Sequence, residues 1–148
     1  MPYVPFREHF PDLAERETRT VTILDDRYRG LPAGVYAFVE LFCDEPGCDC
    51  RRVFLAVHSS PREPEAVIAY GWESREFYAA WMGDESPEML SALQGPELNL
   101  GSPQSELAPA LLEFATSVLL NDRHYVDRLK RHYELFRERI EEGHRAAQ

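Results

Sequence analysis

Three cysteines fall within eight positions, in the stretch Phe42-Cys43-Asp44-Glu45-Pro46-Gly47-Cys48-Asp49-Cys50-Arg51-Arg52, and the chain has no others. In a reducing compartment such a cluster points to metal binding or redox work before it points to a structural disulfide. The spacing Cys-x4-Cys-x-Cys is not the Cys-x2-Cys of zinc ribbons and fingers. It also lacks the Cys-x4-Cys-x2-Cys run and distant fourth cysteine of a plant-type iron–sulfur site. Zinc fits the donor type, but a structural zinc takes four ligands, so Cys43, Cys48 and Cys50 leave one to be found.

Among the histidines, His132 is the expected fourth ligand. Tyr125, Leu129, His132, Phe136 and Ile140 recur at steps of four, three, four and four, which puts His132 on the core-facing stripe of a closing helix. His58 stands eight residues beyond Cys50 on an extended run, roughly 26 Å away at strand rise. His9 and His144 fall near the ends, and His124 lies well round the helix from the stripe. The plainer reading of His132 is a hydrogen-bonded core histidine. Asp44, Glu45 and Asp49 are alternative oxygen ligands whose plainer reading is solvation.

Beside the plain reading of inert buried thiols, two other accounts of the cysteines compete. If one strand ends near Cys43 and the next starts near Cys50, the two cysteines face each other at a separation a disulfide accepts. Arg51 and Arg52 would favour a reactive thiolate, as in a redox sensor, while Asp44, Glu45 and Asp49 oppose it. Elsewhere the signals are weaker. His58-Ser59-Ser60 lacks a nucleophile elbow, and the aromatics Tyr70, Trp72, Phe77, Tyr78 and Trp81 read as core. No phosphate loop or dinucleotide fingerprint is present.

The elements that must position the cysteines follow from the residues around them. Thr20–Leu24 is rich in β-branched residues, and the run from Val35 to Phe42 is apolar at nearly every position, as in a strand covered on both faces. Arg52–His58 and Ala66–Tyr70 follow after connections too short for parallel crossovers, so the strands form an antiparallel meander. Pro46-Gly47 supplies the turn inside the cysteine loop. Asp25 and Asp26 followed by Gly30, Pro32 and Gly34 read as a turn.

From Ser74 the period becomes helical. Ser74 and Ser86 are N-cap candidates, and Pro87 suits a first helical position. Ser105 is preferred as the next N-cap because it leaves Pro109 in the first turn. Asn121 or Asp122 begins the last helix. Strands first and helices afterwards predict an α+β domain: a small antiparallel meander of three to four strands with four helices packed on one face. We expect one domain over 1–148, with an irregular lead-in over 1–18, the sheet over 19–71 and the helical part over 73–142.

The formal charge is −10, with 44% hydrophobic and 28% charged residues, which suits a folded acidic body and opposes binding to phosphate backbones. Arg128, Lys130, Arg131, Arg137 and Arg139 are the only basic stripe, and Glu134 and Glu138 interrupt it. The start, MPYVPFREHFPDL, lacks the pattern of a secretory signal, and no apolar run has the ~18 residues of a membrane helix. These features predict a soluble cytoplasmic protein without nucleic-acid or membrane partners.

The segments FCDEPGCDCRRVFLAV, LGSPQSELAPALLEF and HYVDRLKRHYELF together resemble a family of bacterial proteins, with no activity attached, that share a Cys-x4-Cys-x-Cys loop and a closing helix. The resemblance covers most of residues 35 to 140. Some members of that family carry a C-terminal SEC-C metal-binding module, and no such module lies within these 148 residues. The likeness implies a designed role for Cys43, Cys48, Cys50 and His132. The expected function is a small zinc-binding protein whose metal is structural and which acts through a protein partner. The alternatives are a metal-dependent hydrolase with an open zinc position and a thiol redox sensor.

Overall fold

A computed structural model describes residues 3–25 and 30–148. In chain order these residues form β1 (Tyr3–Pro5), a turn of 3-10 helix, α1 (Pro11–Glu17), β2 (Arg19–Ile23), β3 (Gly34–Cys43), β4 (Arg52–His58) and β5 (Ala66–Gly71). Then come α2 (Arg75–Met82), α3 (Pro87–Gln94), β6 (Glu97–Leu98), α4 (Ala108–Ser117) and α5 (Arg123–Ala146). The turn expected around 25–34 lies partly outside the described residues.

The sheet is antiparallel, and β3, β4 and β5 make the expected meander at its centre. Its far edge holds the two-residue β6 against β5. The near edge differs from the expected irregular lead-in. β1 pairs with β3 at Leu41, Phe42 and Cys43, and β2 pairs with the same edge from Gly34 to Phe38. The two short strands therefore lie end to end, and the segment between them, with α1, loops out beside Val39 and Glu40. Pro11 does not prevent this helix because it occupies the first turn, where its missing N–H has no intrahelical acceptor to lose.

Alternation along the strands sorts the core. Tyr36, Phe38 and Phe42 of β3 and Val53, Leu55 and Val57 of β4 point to one face. There they meet Leu111, Phe114 and Ala115 of α4 and Tyr125, Leu129, Tyr133 and Phe136 of α5. The opposite face carries a smaller cluster of Phe54, Ala56, Val67 and Ala69, with the ring of Tyr3 stacked on Phe54 at 4.2 Å. The expectation of four helices on one face is therefore corrected. Tyr78, Leu90 and Leu93, from α2 and α3, form a cluster of their own, apart from the core that α4 and α5 build on the sheet.

Two helix starts are capped by side chains, those of α2 and α5, whereas Ser86 precedes α3 as expected but its side chain makes no capping bond. The Ser74 hydroxyl accepts from the Phe77 N–H at 3.1 Å, and the Asp122 carboxylate accepts from the His124 N–H at 3.0 Å. Pro109 does lie in the first turn of α4, but that helix begins at Ala108, two positions later than a cap at Ser105 would place it.

Gly71 ends β5 where a β-carbon would collide with the Tyr78 hydroxyl and lie 2.9 Å from the Leu93 carbonyl oxygen. Gly71→Ala should therefore destabilise the fold by about 1–3 kcal/mol through overpacking. Denaturant unfolding should show a lower midpoint with an unchanged slope.

Candidate metal centre

β3 ends at Cys43 and β4 begins at Arg52, so the connection between them holds both other cysteines. The β3–β4 register sets Leu41 opposite Phe54, which aims Cys43 toward Arg52 and not toward Cys50. The expected cross-strand facing of Cys43 and Cys50 is thus corrected, and it is the loop that makes the sulfurs converge. Glu45-Pro46-Gly47-Cys48 is a tight turn closed by the Cys48 N–H donating to the Glu45 carbonyl at 3.2 Å. Gly47 sits at φ 76°, the left-handed conformation that the third position of such a turn requires.

The outcome is that the Sγ atoms of Cys43, Cys48 and Cys50 all lie within 4.8 Å of one another, and all three cysteines are free. Sulfurs sharing a tetrahedral zinc at bonds of about 2.3 Å sit roughly 3.8 Å apart, so a small contraction would satisfy an ion. Among the described residues no histidine or carboxylate joins this group.

The closing helix does hold the loop, but not through His132. Tyr133, Arg137 and Glu141 form a stripe at steps of four, about 100° round the helix from His132. Arg137 donates to the carbonyls of Cys43 and of Glu45, the latter at 2.7 Å, and to the Glu141 carboxylate at 2.9 Å. Glu141 in turn accepts from the Gly47 N–H at 2.7 Å. Arg51 follows the last cysteine at φ 49°, a left-handed conformation that costs a non-glycine residue energy unless neighbours fix it. Its N–H donates to the Tyr133 hydroxyl at 3.1 Å, and its carbonyl accepts from the Tyr78 hydroxyl at 2.8 Å.

The guanidinium of Arg51 turns away from the sulfurs, to both oxygens of Asp49 and to Glu73 at 2.7 Å. That pairing, first of all the hydrogen bond from Arg51, holds the Asp49 carboxyl below its usual range. Arg52 is different. It is 8% exposed, it donates to the Leu93 and Ala92 carbonyls that end α3, and among the described residues no carboxylate pairs with it. It also donates to the Tyr3 hydroxyl at 3.1 Å, and that oxygen lies 3.9 Å from the Cys50 sulfur. With Arg52 as donor to its oxygen, the phenol has its own proton to offer the sulfur.

Burial pushes all three thiols above their usual range. The expectation that flanking arginines create a low-pKa reactive thiol is therefore corrected: Arg51 is neutralised by its acids and burial outweighs Arg52.

His132 is placed elsewhere. Its Nδ1 lies 2.6 Å from Glu40 Oε1 and its Nε2 2.7 Å from Glu17 Oε1, and the ring stacks on Phe6 at 4.3 Å. Both nitrogens are engaged by carboxylates, so the expected ligand role of His132 is corrected and the plainer reading, a hydrogen-bonded core histidine, holds. Two protons shared by His132 and Glu40 keep both contacts: either an imidazolium donates to two carboxylates, or a neutral ring donates to Glu17 and accepts from a protonated Glu40. Burial raises the Glu40 carboxyl, and the bond to His132 lowers that of Glu17. The second Glu40 oxygen and the Tyr125 hydroxyl are buried without a hydrogen-bond partner.

Sequence reasoning missed Tyr3, Tyr133, Arg137 and Glu141 as site residues, and took Arg52 only as a flank that would activate a thiol. The step-of-four repeat of Tyr133, Arg137 and Glu141 was present in the sequence, but Arg137 read as part of a solvated basic stripe. Nothing near Tyr3 signalled its position beside Cys50. Comparison with known protein families, curated proteins and solved structures finds no match to this chain.

Replacing His132 by alanine should strand Glu40 in the core and cost about 3–5 kcal/mol, while the metal content of the folded protein stays unchanged. Thermal melts and elemental analysis of the same sample separate the two effects. The acids give opposite pH trends. Glu17 contributes above the ordinary carboxylate pKa of about 4.3 and loses that contribution as pH falls through its depressed folded value. Glu40, raised on folding, contributes less as pH climbs from the ordinary value through its raised one. Glu40→Gln should therefore remove a loss of stability toward neutral pH that wild type shows in denaturant titrations at successive pH values.

Proposed function

We propose that Cys43, Cys48 and Cys50 bind one zinc ion as thiolates, with solvent in the fourth position, and that the metal is structural, fixing the β3–β4 loop beside α5. The observation that carries this reading is Arg52. A buried guanidinium without an acid is costly unless a negative charge lies near it, and its hydrogen-bond path through Tyr3 ends on the Cys50 sulfur. Three thiolates and a divalent cation leave one net negative charge, which one guanidinium offsets. The soft donor set suits zinc, and metal binding would release the thiol protons that burial otherwise retains.

Three thiolates donate enough charge to make zinc a weak Lewis acid. The nearby acids Asp49, Glu73 and Glu141 are each engaged by an arginine. Both points favour a structural ion over a hydrolytic one, and a protein that acts by binding a protein partner. No helix of the described residues is long and apolar enough to cross a membrane.

Protein purified under reducing conditions should carry one zinc per chain, and its cobalt derivative should show the intense thiolate-to-metal absorption of a sulfur-rich site. Metal-free protein under those conditions would sink the reading. Arg52→Met should weaken metal affinity by about 10–100-fold, the usual cost of losing a partner behind the ligands, whereas Arg51→Met should leave it within about threefold of wild type because Arg51 is spent on Asp49 and Glu73.

A further inference from the structure

The three sulfurs are not equivalent. Cys43 and Cys50 are 4% and 1% exposed, whereas Cys48 is only half-buried on a turn whose neighbours Glu45, Pro46, Gly47 and Asp49 are exposed. An oxidant arriving from solvent meets Cys48 first. The other two sulfurs both lie within 4.8 Å of it, so oxidation at Cys48 has a resolving thiol at hand. Both have held backbones, Cys43 through its pairing with Tyr3 and the Arg137 bond to its carbonyl, so the choice between them turns on the sulfurs and on the chain that joins each to Cys48. Cys50 is followed by a residue clamped at both its N–H and its carbonyl, and its sulfur faces the Tyr3 hydroxyl. A Cys48–Cys50 bond would also have to close across a single intervening residue. Cys43 and Cys48, in contrast, bracket the turn that the Cys48 N–H closes on Glu45, which already folds one end of that segment back toward the other.

We propose that hydroperoxides oxidise this centre by joining Cys43 to Cys48, which expels the metal and leaves Cys50 as the one free thiol. This is a regulation of the metal site and rests on the metal reading above. The Cys48 sulfur attacks one peroxide oxygen; an S–O bond forms, the O–O bond breaks, and the leaving alkoxide or hydroxide takes a proton from solvent. The Cys43 thiolate then attacks the Cys48 sulfur; the S–S bond forms, the S–O bond breaks, and hydroxide leaves to become water. Two electrons pass from the two sulfurs to one hydroperoxide, and the ion, left with a single protein thiolate, dissociates. Loss of the ion frees the loop from its metal tie, leaving the Tyr133, Arg137 and Glu141 contacts as its hold on α5.

The test exposes zinc-loaded protein to one equivalent of hydrogen peroxide beside a chromophoric chelator, followed by alkylation and peptide mapping. One zinc should be released per disulfide formed, the disulfide should be Cys43–Cys48, and Cys50 should carry the alkyl group. Reductant with added zinc should restore the metal. In Cys48→Ser, Cys43 and Cys50 should both remain alkylatable after the same exposure. Retention of zinc, or a disulfide that includes Cys50, would overturn the proposal. If the reduced protein holds no metal, the metal reading fails by itself, and mapping of the metal-free chain still decides the pairing: any bond other than Cys43–Cys48 overturns it.

Discussion

Everything at the cysteine loop depends on how α5 satisfies its main chain. A loop of this length at the end of a hairpin exposes several N–H and carbonyl groups that no strand pairs, and loops with free backbone groups are mobile. Here Arg137 takes two of the carbonyls, Glu141 takes the Gly47 N–H, and Tyr133 takes the Arg51 N–H. One helix face thus fixes the path of the backbone, and the sulfurs converge as a consequence. A charged donor spanning two carbonyls is worth more than a neutral one, which is a physical reason for an arginine at position 137 in place of a glutamine.

The same helix organises the other end of the near sheet edge by a neighbouring face. His132 reaches Glu40 in the middle of β3 and Glu17 at the end of α1, while Arg131 pairs with Glu17 from outside at 3.0 Å. Arg128 adds a hydrogen bond to the Glu17 carbonyl at 3.0 Å. These polar contacts add to the burial of Phe6 and Ala14 in the main core, which also anchors the looped-out segment with α1. Adjacent faces of α5 therefore hold two irregular excursions of the chain, one carrying thiols and one carrying an acid.

The electrostatic cost of this arrangement is concentrated in a few groups. Glu40, Arg52, His132 and Arg137 are the buried polar side chains of the described residues. Glu40 and His132 compensate each other, and Arg137 is met by carbonyls and by Glu141. Arg52 is met by helix-end carbonyls, whose partial negative charge favours a cation, and by the Tyr3 phenol. A neutral thiol at Cys50 uses little of that positive potential, and a metal thiolate uses it fully. The buried cation and the sulfur cluster are better understood together than apart.

Much of this was open to inspection in the residues themselves. The apolar run from Val35 to Phe42, the short connections after it and the change to helical period after Gly71 fixed an antiparallel meander followed by helices, because alternation and periodicity are local properties. The Pro46-Gly47 turn was legible for the same reason, since its backbone angles follow from its two central residues. The gathering of three thiols in one loop made a metal reading natural. Tertiary structure alone decided which side chains surround them. A shift of one position along α5, from His132 to Tyr133, rotates a side chain to a different face, and a helical pattern does not say which of two adjacent faces meets a loop 80 or more residues away in sequence. The pairing of Tyr3 with Cys43, and with it the path from Arg52 to Cys50, depended on a three-residue strand whose position is set by packing and not by its own propensity.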